Sequence, residues 1–176
     1  MRLFISISTE EHSEYFNKLK KEIESTRINA NFTNAFHLTL KFLGEVDEAN
    51  TERIMELLHN INSKKFSLTL SKLGMFPNEN YIRVLWHGIE RNDKLLHLQN
   101  EIDTVLLPLF KKDEKFHPHV TLARVKNIRN KYGFLEEYRN IQTETLKIEV
   151  TDFRLVRSTL TSEGPIYEDL EIFSLG

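Results

Sequence analysis

The tetrapeptides His37-Leu38-Thr39-Leu40 and His119-Val120-Thr121-Leu122 spell one strand pattern, His-x-Thr-Leu, twice in a chain of 176 residues. Alternate side chains of an extended strand share a face, so each copy projects one imidazole and one hydroxyl together and turns its apolar residues the other way. The two histidines stand 82 positions apart (119 minus 37), close to half the chain. A fold that uses both copies alike is a β scaffold built twice, with the apolar backing of each motif strand packed into a core. Brought together, the copies would surround a small anionic group with an acid, a base and two neutral hydrogen-bond donors. That is the equipment for phosphoester chemistry without a metal.

Patterning along the chain agrees with a duplication. Arg2 to Ser8 alternates as a strand, and Ser8 with Glu11 has capping-box spacing ahead of a helix carrying Tyr15, Phe16, Leu19 and Ile23. Asn29 to Asn34 reads as a polar loop, and Phe36 to Leu43 as the first motif strand, stopped by Gly44. Asp47 is placed to cap a second helix with Ile54, Leu57, Leu58 and Ile61 on one face. Two antiparallel strands, Phe66 to Leu73 and Tyr81 to Ile89, are joined by the turn-rich Phe76-Pro77-Asn78-Glu79-Asn80. A third helix is expected over about Asp93 to Leu107, before the second motif. Arg129 to Arg139 is weakly helical, and strand runs at Thr145 to Thr159 and Ile166 to Leu175 close the chain. The order βαβαββ, then αβαββ, is an imperfect repeat with no Gly-, Ser- or Pro-rich linker between its halves. The expected arrangement is two lobes sharing one β surface, with the motifs meeting in the cleft between them.

Composition narrows the chemistry. The absence of cysteine excludes disulfides, thiolate zinc sites and cysteine nucleophiles. With 24 basic against 26 acidic side chains the net charge is -2, whereas a bulk-electrostatic nucleic-acid binder carries a clear basic excess. Any RNA contact is therefore expected to be local, at an end or a loop. The start lacks a small-residue cleavage site and no later run is long enough to span a bilayer, so the expected location is the cytoplasm, without membrane. No exposed heptad or surplus apolar stripe calls for a partner copy, which makes a monomer the expectation.

The segment Phe66-Ser67-Leu68-Thr69-Leu70 copies the first motif except that Ser replaces His, so Thr within such a strand says little by itself. The paired imidazoles carry the signal. Of the other histidines, His12, His59, His87 and His97 read as ordinary. His117 lies two residues before His119 and could join its face as a phosphate or ribose contact. A metal site built from His37, His117 and His119 lacks an acidic or thiolate residue in either motif to complete it, so no metal and no cofactor are expected. Lys41 alternates in phase with His37 and Thr39 and is expected to reach the cleft rim. Arg124 falls out of phase with His119 and needs a bulge or a strand end to reach substrate. At most one of Arg83 and Trp86 faces the cleft, and Gly44 and Gly74 read as isolated turn residues. Phe42, Phe76 and Trp86 are candidates to stack a base, though each also suits a core.

The run Phe36-His37-Leu38-Thr39-Leu40-Lys41-Phe42-Leu43-Gly44-Glu45-Val46 resembles the first motif of the two-histidine phosphoesterases, in particular the RNA 2',3'-cyclic phosphodiesterases, also called 2'-5' RNA ligases. Phe116-His117-Pro118-His119-Val120-Thr121-Leu122-Ala123-Arg124-Val125 is similar to the second. Leu73 to Pro77, Arg83 to Trp86, and Ser158 through Tyr167 match further landmarks, so the likeness covers nearly the whole chain. His117 stands where many members carry a basic residue. The resemblance implies a single α+β domain over residues 1–176, bilobal and pseudo-twofold, its antiparallel sheets forming a central cleft with helices packed outside. It also implies hydrolysis of an RNA 2',3'-cyclic phosphate end, or of a small cyclic nucleotide, to the 2'-phosphate. His37 would be the proton donor and His119 the acceptor, with Thr39, Thr121, Lys41, His117 and Arg124 as substrate contacts. Reversal would join RNA ends through a 2'-5' linkage. On the residues alone, a non-catalytic RNA-end or nucleotide-binding module, and an esterase acting on other cyclic or 2'-5' linked nucleotides, stay open.

Overall fold

The computed structural model describes residues 1–26, 28–162 and 164–176. Along the chain run β1 (Arg2–Ser8), α1 (Ser13–Ser25), β2 (Asn29–Phe32), β3 (His37–Glu45), α2 (Glu48–Leu58), β4 (Phe66–Asn78), β5 (Tyr81–Ile89), α3 (Asp93–Val105), β6 (His119–Asn127), α4 (Lys131–Asn140), β7 (Lys147–Val150), β8 (Asp152–Thr161) and β9 (Gly164–Ser174). This α+β chain folds around one antiparallel sheet in the order β7-β4-β5-β6-β3-β1-β8-β9, with β2 pairing beside β6.

The two halves of the sequence are interleaved in that order. One side of the sheet joins β1 and β3 to β8 and β9 from the later half, and the other joins β6 and β7 to β4 and β5 from the earlier one. The sides meet where Leu38 of β3 lies opposite Val120 of β6. Both residues are fully buried, in one apolar core with Ile5 and Ile7 of β1, Phe16 of α1, Ile54 of α2, Leu98 and Ile102 of α3, and Phe134 of α4. All four helices thus cover the apolar face of the sheet, and the opposite face is left to the histidines.

Several local expectations are matched and others are corrected. The Asp47 carboxylate caps α2 by accepting from the Asn50 amide at 2.8 Å. Ser8 does not cap α1: it remains in β1 opposite His37 and accepts from the Glu10 amide at 3.3 Å, and a 3-10 turn, Glu10–His12, precedes the helix. Asn29–Phe32 is a strand rather than a loop, because β6 supplies ladder partners that outweigh its polar composition. The final Thr145 to Thr159 run divides at Thr151 into β7 and β8, which lie on opposite sides of the sheet. Gly74 lies within β4 and not in a turn; a Cβ there would collide with the Trp86 ring, so glycine leaves room for the indole to lie against the sheet. Gly44 pairs with Leu3 at φ +73°, where a side chain would be strained, and the strand runs on to Glu45, opposite Arg2, rather than stopping at the glycine.

Leu38→Ala is expected to lower unfolding free energy by about 2–5 kcal/mol, the usual result of deleting a fully buried Leu side chain. The control Leu160→Ala, at a position 67% exposed, should change it by no more than ~0.5 kcal/mol. Denaturant titration of both variants checks the difference.

Candidate active site

Antiparallel pairing of Leu38 with Val120 places His37 across from Thr121 and Thr39 across from His119. Each imidazole therefore has the other motif's hydroxyl as its cross-strand neighbour, and the two histidines are diagonal neighbours on one face. All four side chains are half-buried, above the buried leucines and valine of the same strands.

Each motif strand contains a bulge at the same place. In the β1–β3 ladder Ile5 pairs with Lys41 and Ser6 with Thr39, leaving Leu40 without a partner. In the β5–β6 ladder Leu85 pairs with Ala123 and Trp86 with Thr121, leaving Leu122 unpaired. One extra residue reverses the facing of the residues after it, and β3 and β6 accordingly repeat the same order of buried and exposed positions along all nine residues.

Lys41 and Arg124 are decided by these bulges. Lys41 does not reach the cleft rim: it turns to the core side opposite Ile5, is 3% exposed, and its Nζ lies 2.5 Å from Asp103 Oδ1 and 3.0 Å from Asp113 Oδ1. The expectation of a substrate contact there fails because simple alternation does not continue through Leu40. Arg124 turns the other way, onto the face of Thr121 and Trp86, opposite Val84. Its charge acts on His37, His119 and Tyr167 alike. At the matching place in the first motif stands Phe42, 66% exposed.

Aromatic rings flank both histidines. His37 lies 4.9 Å from the Phe4 ring and 5.2 Å from Tyr167. His119 lies 4.9 Å from Phe76 and 6.0 Å from Trp86, and His117 packs edge-on against Phe76 at 5.1 Å. His117 is exposed and joins this wall. Trp86 is the member of its strand that faces the site, while Arg83 lies over Tyr81. The buried Trp86 Nε1 has no hydrogen-bond partner among the described residues. Phe4 and Tyr167 were missed as site neighbours in the sequence; the phase of Phe4 with Ser6 and Ser8 in β1 was the available signal.

The His119 Nδ1 lies 2.7 Å from the His117 carbonyl oxygen. A carbonyl only accepts, so Nδ1 carries the proton and the Nε2 lone pair of the neutral ring is left for chemistry. Burial pushes the His37 pKa down from 6.5 to about 4; the charges of His119 and Arg124 add to this and the Ala35 carbonyl opposes it. Burial also lowers His119, with the His117 carbonyl opposing and the charges of His117 and Arg124 adding. At neutral pH burial therefore favours two uncharged imidazoles, and an anion bound between them would restore a proton. Among the described residues no three of His, Asp and Glu gather in a metal-holding cluster.

The LigT-like phosphoesterase family model matches residues 5–86 and again residues 88–167. The RNA 2',3'-cyclic phosphodiesterase of Methanocaldococcus jannaschii is 38% identical over 96% of this chain and 97% of its own. The Thermotoga maritima protein of the same name is 37% identical over 97% and 93%. Among solved structures, a Thermus thermophilus protein superposes with TM-score 0.83 at 29% identity, covering 99% of this chain and 98% of that one. Escherichia coli LigT complexed with 3'-AMP superposes with TM-score 0.74 at 25% identity, covering 99% and 97%.

His37 in the ligand-free protein is expected to titrate near pH 4, and Arg124→Leu to raise that midpoint by removing a nearby positive charge. Imidazole NMR titration reads both. Since the unfolded chain takes up this proton near 6.5 and the folded chain only near 4, stability should fall as pH drops through that interval, and less so in His37→Asn.

Proposed function

This chain belongs to the LigT-like phosphoesterase family, and on that premise we propose that it opens the 2',3'-cyclic phosphate at an RNA end to a 2'-phosphate, without a metal. The observation that carries the reading is the crossed pairing of two His–Thr units on one exposed face, with Arg124 beside them. The near full-length likeness to RNA 2',3'-cyclic phosphodiesterases supports the choice of substrate class.

His119 acts as the base in this reading, the assignment following the family resemblance, and its geometry is compatible: Nδ1 is engaged by the His117 carbonyl and Nε2 is free. It takes a proton from a water that attacks phosphorus. The bond from phosphorus to the ribose 3'-oxygen breaks, and His37 gives its proton to that oxygen. The pair ends with its protonation reversed, and exchange with solvent resets it. His37 acquires its proton when the phosphate anion offsets the charge of Arg124 and the cost of burial. Thr39 and Thr121 donate to the non-bridging oxygens, where negative charge grows in the transition state, and Arg124 balances that charge.

Phe42 presents the most exposed ring of the motif strands, and a terminal base can stack on it. Phe76 and Trp86 are already packed together at 4.9 Å and form the aromatic wall beside His119. With a 5'-hydroxyl of RNA in place of water, the same proton transfers open the cyclic phosphate, break the bond to the 3'-oxygen and form a 2'-5' linkage. Water is far more abundant, so hydrolysis dominates.

With a nucleoside 2',3'-cyclic phosphate in EDTA, the expected product is the 2'-monophosphate. His37→Ala and His119→Ala should each lose ~10²-fold turnover or more, the general acid–base range, and Thr39→Val and Thr121→Val less. Binding without turnover, a 3'-phosphate product, or full activity in the double histidine variant would each reject the reading.

A further inference from the structure

The buried Lys41 ammonium gathers three acceptors from the second half of the chain: Asp103 Oδ1 on α3 at 2.5 Å, the Lys111 carbonyl oxygen at 3.0 Å and Asp113 Oδ1 at 3.0 Å. Asp103 completes the knot with its other oxygen, which accepts from Gln99 Nε2 at 3.0 Å and from the Asp113 amide at 3.1 Å. Lys111 and Asp113 belong to an irregular segment, residues 111–118, that runs directly into His119. Such a segment has no ladder or helix to satisfy and fix its backbone. Its Lys111 carbonyl and Asp113 amide are fixed by a group on the first motif's strand and that group's carboxylate partner. Four residues beyond Asp113, the His117 carbonyl holds the His119 Nδ1 proton.

We infer that Lys41, with Asp103 and Asp113, is a positioning device that sets the base: it ties the segment carrying His117 to β3, so that the His117 carbonyl stays under His119 Nδ1 and keeps Nε2 unprotonated. A buried ammonium must place three N–H donors on acceptors. Here it engages two carboxylates and a backbone oxygen, and two of the three acceptors lie on the segment that leads to the catalytic ring. The arrangement is one-sided. The bulge that turns Lys41 inward in β3 turns Ala123 inward in β6, which has no polar side chain to hold the segment before His37. The segment before His37 is held by its own turn instead, where Thr33 Oγ1 donates to the Ala35 carbonyl oxygen at 2.9 Å, and the lysine knot belongs to the second motif alone.

This inference rests on the proposed role of His119, and its test separates the two. Asp113, with a side chain 38% exposed, can be changed without leaving a deeply buried charge alone. Asp113→Ala is expected to lower kcat about tenfold, short of the ~10²-fold that an ångström of misplacement can cost, with KM within about twofold because Lys41 does not touch substrate. Asp113→Asn keeps an oxygen for Lys41 Nζ and should retain most of the rate. In ligand-free protein labelled with 15N-histidine, the His119 signals should show an Nδ1–H tautomer in the parent and Asp113→Asn and a mixture in Asp113→Ala. The pair Lys41→Met with Asp103→Leu removes both buried charges together and should reproduce the Asp113→Ala result. Parent kcat and an unchanged tautomer in Asp113→Ala and in the pair would overturn the inference, as would a loss confined to KM. The tautomer is read without turnover, so absence of cyclic-phosphate hydrolysis in the parent would reject the function while leaving the positioning claim to be judged by the NMR signals.

Discussion

Because Leu38 and Val120 bury their side chains against the same core while their strands run antiparallel, the residues on either side of them must point away from it. The position of both imidazoles and both hydroxyls follows from that single alignment. A slip of one residue would drive His37 and His119 inward and expose leucine and valine in their place. The facing of the two histidines is thereby tied to the strongest force available to the chain, burial of apolar surface.

What the alignment does not decide, the paired bulges do. Leu40 and Leu122 each insert one residue, and each insertion exchanges which of the following side chains is buried. In the first copy the result is a lysine inside and a phenylalanine outside; in the second it is an alanine inside and an arginine outside. One backbone geometry thus gives the shared face an apolar ring beside one histidine's strand and a cation beside the other's. A site made of two equivalent halves would accept a substrate equally well in either orientation. This one is apolar at one end and cationic at the other, which suits a ligand with a base at one side and a phosphate at the other.

The faces of the two motifs were legible in the sequence because period-two alternation over His37 to Leu40 and His119 to Leu122 is uninterrupted. The α2 cap at Asp47 was equally plain, since its chemistry is local. The inward turn of Lys41 and the outward turn of Arg124 were not legible: the bulges fall at leucines, with no glycine to mark them. Asn29–Phe32 looked like a loop because the partner that makes it a strand lies nearly a hundred residues away in β6. The role of Gly74 was hidden for a similar reason, as the indole it accommodates belongs to another strand. Each failure has one cause, a contact between segments distant in sequence that overrides a local pattern.

The interleaving of the halves has a consequence for how such a molecule can be taken apart. Either half, released by a cut between β5 and α3, would carry strands destined for both sides of the sheet and could not close a core around them by itself. Two copies of one half could, by trading strands reciprocally about a twofold axis, as swapped dimers do. The present chain has the form of such a dimer joined covalently, and its two motif strands differ at Phe42 and Arg124.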